Sequence, residues 1–129
     1  MLKLVTLCCF LFATCSATHF LFGVEITCAL DDTFAATISH WEDDGLLNSD
    51  EQISFRREVV TAYKKIYIHQ KGHQTFEYGD FEPYGWFYHN CTKDGKFVTY
   101  KKKLAETSKK HGLEFVEYTV DLTDAWGTR

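Results

Sequence analysis

Between Gly72 and Asn90 the chain places Phe76, Tyr78, Phe81, Tyr84, Trp86, Phe87 and Tyr88, its densest aromatic stretch. Whether this stretch is helix or strand decides the fold class. Pro83 and Gly85 disfavour a long regular helix through it, because proline removes a backbone donor and glycine carries the largest entropy cost. Two readings stay open. One is a loop followed by a short helix starting at Pro83. The other is a strand with Tyr84, Trp86 and Tyr88 on one face.

Helical spacing governs the rest. Leu30, Phe34, Ile38 and Trp41 recur at helical intervals after Asp31 and Asp32, which suit a first turn. Glu42-Asp43-Asp44-Gly45 reads as a break. Ser49 with Gln52 gives a capping-box pattern and opens a second helix to Tyr67. Its apolar stripe is Ile53, Val59, Val60, Tyr63, Ile66 and Tyr67, and its wet side is Arg56, Arg57, Lys64 and Lys65. A third helix is expected from Phe97 to Lys109, with Phe97, Tyr100, Leu104 and Ala105 inward and His111-Gly112 as its stop. Leu113–Leu122 alternates, with Val116, Tyr118, Val120 and Leu122 on one face, and predicts a strand. The expected architecture is mainly α with a short C-terminal strand.

Lys3, an apolar run from Leu4 to Thr14, and the small residues of Cys15-Ser16-Ala17 form a signal-peptide pattern over residues 1–17. Residues 18–129 are then one secreted domain, and no second segment is long enough to span a bilayer. With 14 basic against 18 acidic residues the chain is mildly acidic, which argues against nucleic acid as the main partner. Beyond the leader only Cys28 and Cys91 are left, most simply as one bridge; two free thiols or a bridge between chains are the alternatives. Asn90-Cys91-Thr92 is a glycosylation sequon that favours a surface position for Asn90.

The chemistry gathers at two Asp-Gly breaks. With Gly45 at the sixth position of a twelve-residue calcium loop over 40–51, His40 falls at position one. Glu42, Asp44, the Leu46 carbonyl, Asn48 and Glu51 supply the remaining ligands. Calcium prefers oxygen, so His40 is the departure. A second loop over 90–101, with Gly95 at position six, puts Lys101 where the bidentate carboxylate belongs. These two segments resemble the EF-hand family, in the widely spaced form of secretory-pathway members of the nucleobindin type. The resemblance implies a helix-loop-helix pair, calcium as ligand at the first loop, and a second loop that supports it.

No Gly-x-Ser-x-Gly, phosphate-binding loop or Cys/His nucleophile pair is present, so no enzymatic activity is expected. His69 and His73 are too few to complete a zinc site. Two other readings compete. One is an α+β cone of the nuclear-transport-factor-2-like kind holding a small apolar ligand. The other is a secreted interaction factor whose exposed aromatics bind a protein of the secretory pathway or the extracellular space.

Overall fold

The computed structural model describes residues 17–30, 32–45, 49–74, 80–107 and 112–128. These residues form strands β1 (Thr18–Thr27), β2 (Thr33–Glu42), β3 (Glu51–Gln52), β4 (Glu58–Tyr63), β5 (Lys65–Gln74), β6 (Pro83–His89), β7 (Val98–Lys103), β8 (Gly112–Asp121) and β9 (Gly127–Thr128). There is no helix among the described residues. The mainly α architecture with an EF-hand pair is therefore corrected to a β-sandwich, and the α+β cone falls with it for want of helices to cover a sheet.

Two sheets pack face to face. The smaller has the order β5-β1-β8, and the larger runs β3-β2-β6-β7-β9 with β4 also paired to β2. In the smaller sheet β1 is antiparallel to β5 and parallel to β8, each through ten unbroken residue pairs. Phe20, Phe22, Val24 and Ile26 of β1 face Phe34, Ala36 and Ile38 of β2 and Phe87 of β6 across the core. Phe20 stacks on Phe22 at 5.5 Å and meets the edge of Phe81 at 5.5 Å. Burying each such ring is worth about 1.5–3 kcal/mol, so alternate residues of β1 and β2 hold the sandwich shut. A disulfide joins Cys28, just past β1, to Cys91, just past β6, and so ties one sheet to the other.

Spacing explains the difference from the helical reading. Phe34 and Ile38 are four apart, which is one helical turn but also two full strand repeats, so both periods put them on one face. Their intervening residue Ala36 is equally buried, which only the strand period allows. Val59, Tyr63 and Tyr67, read as part of an apolar helical stripe, are exposed instead, while Val60 and Ile68 turn inward.

Where the sheets meet at one side, the chain from Ile53 to Phe55 crosses between them. Ile53 N–H donates to the His40 carbonyl at 2.9 Å, and His73 N–H donates back to the Ile53 carbonyl at 3.0 Å. Gly72 makes this possible, because a Cβ there would lie 2.2 Å from the Ile53 carbonyl oxygen. The crossing segment covers the outer edge of β5.

Candidate protein-docking face

The outer surface of the larger sheet is built by alternation. Thr37, Ser39 and Trp41 of β2 lie opposite Tyr88, Trp86 and Tyr84 of β6. On the far side of β6 those three oppose Thr99, Lys101 and Lys103 of β7. Beside the short residues Thr37 and Ser39, Tyr88 is exposed and Trp86 half-buried, while Tyr84 is buried. Trp41 leans back over the sheet, its indole N–H donating to Ser39 Oγ at 2.7 Å. Tyr84, Trp86 and Tyr88 thus share one face of a strand, and the aromatic stretch that decides the fold class is strand in its second half.

The rings form a continuous line. Trp86 and Tyr88 stack at 6.3 Å, and Tyr88 stacks on Phe97 at 4.9 Å. The Arg57 guanidinium lies 4.4 Å from the Trp86 ring centre. Val59, opposite Thr37 on β4, extends the apolar surface and is 71% exposed; Tyr88 and Phe97 are 43% and 44% exposed. A contact of this kind between cation and ring contributes about 0.5–1 kcal/mol at an exposed site and holds the guanidinium over the ring.

At the other end of the face the charges satisfy one another. Lys101 Nζ is 2.9 Å from Asp43 Oδ2 and 3.7 Å from Asp50 Oδ2, and it lies 3.8 Å from the Tyr84 ring centre. Tyr84 donates its hydroxyl to Asp50 at 2.7 Å. Burial, with the Asp50 hydrogen bond second, raises the Tyr84 pKa, and the Lys101 hydrogen bond holds the Asp43 carboxyl below its ordinary value.

This cluster bears directly on the calcium-loop expectation. His40 and Glu42 lie on the buried face of β2, Asp44 is in the turn, and Glu51 is on β3, paired in register with Glu42. Leu46 and Asn48 lie outside the described residues. Glu42 accepts the Glu82 N–H at 2.9 Å, and Glu51 accepts from Gln74. Among the described residues no three His, Cys, Asp or Glu side chains are grouped to hold a metal. The described parts of both segments make polar turn contacts. Asp43 caps Gly45 N–H, Asp94 caps Lys96 N–H, and Gly45 and Gly95 take the left-handed conformation that suits glycine. Asn90, the sequon residue, accepts the Ala35 N–H at 2.8 Å.

His40 has a different role. Its ring stacks on Phe22 at 3.8 Å, with Nδ1 2.7 Å from Gln70 Oε1 and Nε2 2.7 Å from the Tyr118 hydroxyl. Because Gln70 Oε1 only accepts, Nδ1 carries the proton and Nε2 accepts from Tyr118. Gln70 in turn donates to the Ile38 carbonyl at 3.1 Å and to Glu58 at 3.3 Å. Burial depresses the His40 pKa to about 4, so the ring is neutral between the sheets. The network ties β2, β5 and β8 to one another.

Sequence reasoning missed Arg57 and Val59, which it gave to the two faces of a helix, and turned Phe97 inward. The signal that could have found them was the run of short residues Thr33, Ala35, Thr37 and Ser39 at alternate positions of β2, which has no counterpart in an amphipathic helix.

No family model matches the chain. Over 123 residues it is 54% identical to Protein lin-61 of Caenorhabditis elegans, a match covering 93% of this chain and 20% of lin-61. The chain thus spans about one fifth the length of that relative. The match necessarily reaches into residues 1–17, of which 1–16 lie outside the described residues. These findings overturn the reading as a secreted, calcium-binding glycoprotein of the nucleobindin type with a lumenal or extracellular partner. The similarity is to a segment of a much longer protein, and the described residues hold no helix from which an EF-hand could be built.

Proposed function

We propose that this chain is a non-enzymatic protein-interaction module, and that its partner docks an acidic segment with an apolar anchor on the outer face of the larger sheet. The observation that carries this is the line Arg57–Trp86–Tyr88–Phe97 on the outer face, half-buried at Trp86 and exposed at Tyr88 and Phe97, with Thr37 and Ser39 beside it on β2. Large aromatics and arginine are the residue types that dominate binding energy at protein interfaces. Lys101 is held by Asp43 and Asp50, and Lys103 also acts on Asp43, so Arg57 is the cation that an incoming segment meets beside the rings. Acidic residues flanking a leucine or phenylalanine complement it. Occurrence of a similar stretch as one fifth of lin-61 fits a module that works within longer chains.

The test is titration of the full chain with a synthetic peptide of aspartates and glutamates around one leucine, followed by NMR. Indole N–H signals of Trp86 and Trp41 and ring signals of Tyr88 and Phe97 should shift, with Trp126 unaffected. Arg57→Glu and Trp86→Ala should each remove the response, and added salt should weaken it. An equal response to a lysine-rich counterpart, or no response on this face, overturns the proposal.

A further inference from the structure

We infer that β8 is a strand-addition site that takes an extended, basic segment of a partner protein. The argument is independent of the aromatic face, which lies on the other sheet. It starts from hydrogen-bond direction. In a parallel ladder each residue sends both its N–H and its C=O to the same side, and alternate residues face opposite sides. Gly112 and Leu122 N–H groups donate to the carbonyls of Ala17 and Thr27, at 3.1 and 2.9 Å, so the even-numbered residues of β8 are the ones that serve β1. The N–H and C=O groups of Phe115, Glu117, Thr119 and Asp121 therefore point away from β1, along the edge of the smaller sheet.

The two edges of that sheet are treated differently. The β5 edge is covered by Ile53–Phe55, with Phe55 N–H donating to the Lys71 carbonyl at 3.2 Å and Ser54 bridging Gly72. Beside β8, on the side away from β1, no strand pairs among the described residues. Of the usual guards of a free edge, β8 carries only carboxylates, at Glu114, Glu117 and Asp121, which oppose another acidic strand and not a basic one. It has no proline, lysine or arginine, and its ten pairs with β1 run without a bulge.

Charge selects the occupant. Glu117 and Asp121 occupy the outward positions beside Thr119, and Phe115, 67% exposed, precedes them. Tyr67 reaches across Gly23 to place its hydroxyl 3.4 Å from Glu117; a Cβ at Gly23 would lie 2.6 Å from that hydroxyl. Pairing β8 with a second β8 brings these carboxylates together, whereas a strand with cations opposite Glu117 and Asp121 gains at both positions. Added strands of this kind draw affinity from the main chain and specificity from alternate side chains.

The probe is the peptide Phe-Thr-Lys-Thr-Val-Thr-Lys, in both chain directions, against a version with glutamate in place of lysine and a version N-methylated at alternate residues. Added to the full chain, the lysine peptide in one direction should slow amide exchange at Phe115, Glu117, Thr119 and Asp121. Val116, Tyr118 and Val120, already bonded to β1, should not change. It should bind about tenfold tighter than the glutamate peptide, and Glu117→Lys with Asp121→Lys should reverse that order. Binding of the N-methylated peptide as tightly as the parent, absence of new protection at the four outward amides, or their protection by self-association in the absence of peptide each overturns the assignment.

Discussion

Lys101 places its ammonium 2.9 Å from Asp43 Oδ2, so a residue of β7 neutralises the turn that follows β2. The lysine that spoils the second calcium-loop pattern thus pairs with Asp43 and Asp50, which lie within the first segment but outside its ligand set. Lys101→Met should let the Asp43 pKa rise toward the ordinary carboxylate value, measurable by NMR titration. Because Asp43 is depressed in the folded state, its stabilising effect is present above the unfolded carboxyl pKa and fades as pH falls through the folded one. The parent should therefore lose more stability than the variant in acid. At neutral pH the substitution should cost up to about 1 kcal/mol, as expected of a partly exposed pair.

Tyr118 and Gly85 are coupled. A Cβ on Gly85 would lie 2.5 Å from the Tyr118 hydroxyl and 2.8 Å from Phe87. Gly85→Ala should destabilise by about 1–3 kcal/mol through overpacking. Tyr118→Phe should cost about 1–3 kcal/mol by leaving His40 Nε2 without its donor. The double variant should cost less than the sum, since removing the hydroxyl relieves part of the clash; strict additivity in chemical denaturation would refute the contact.

His40 is neutral because it is buried, and its folded pKa near 4 lies below the unfolded value of 6.5. Its contribution is complete above the unfolded pKa and is lost as pH falls toward the folded one. Between pH 6.5 and 4, unfolding should take up close to one proton at this residue, a loss of about 3 kcal/mol. Comparing denaturation of the parent and His40→Gln across that window should show this slope only in the parent.

Alternation makes a sharp contrast along β4 and β5. Val59→Ser and Tyr63→Ser, on the outer face, should change stability by no more than about 0.5 kcal/mol. Ile68→Ala, on the inner face, should cost about 2–5 kcal/mol. A large loss at Tyr63 would show that its ring packs against the sheet.

Replacing both Cys28 and Cys91 by serine should lower stability by about 4 kcal/mol, the chain-entropy value for cysteines 63 apart in sequence. The folded sandwich should survive, since its rings pack without the bridge, and circular dichroism should retain the strand signal.

Some of this structure was legible early. The alternation of Val116, Tyr118 and Val120 places them together on the inner side of β8, and Tyr84, Trp86 and Tyr88 share a face as their spacing allows. Both segments combine strand period with β-branched or aromatic residues, a local signal that needs no partner. Cys28 and Cys91 were also identifiable as a possible pair once Cys8, Cys9 and Cys15 were assigned to a leader, and the bridge is present in the fold. Elsewhere the local signal was degenerate. Apolar residues four apart satisfy helix and strand alike, and Asp-Gly with nearby carboxylates satisfies both a calcium loop and a hairpin turn. Only the sheets resolved these, because a strand's inward face is defined by what packs against it. Phe22 stacks on His40 and so removes that histidine from any loop, and Lys101 arrives from β7 to hold Asp43 and Asp50. The sequence by itself determined which residues are apolar, where the chain must turn and which strands alternate cleanly. The tertiary structure decided which face of each strand is buried, because that choice follows from long-range pairing between segments that carry no mark of one another.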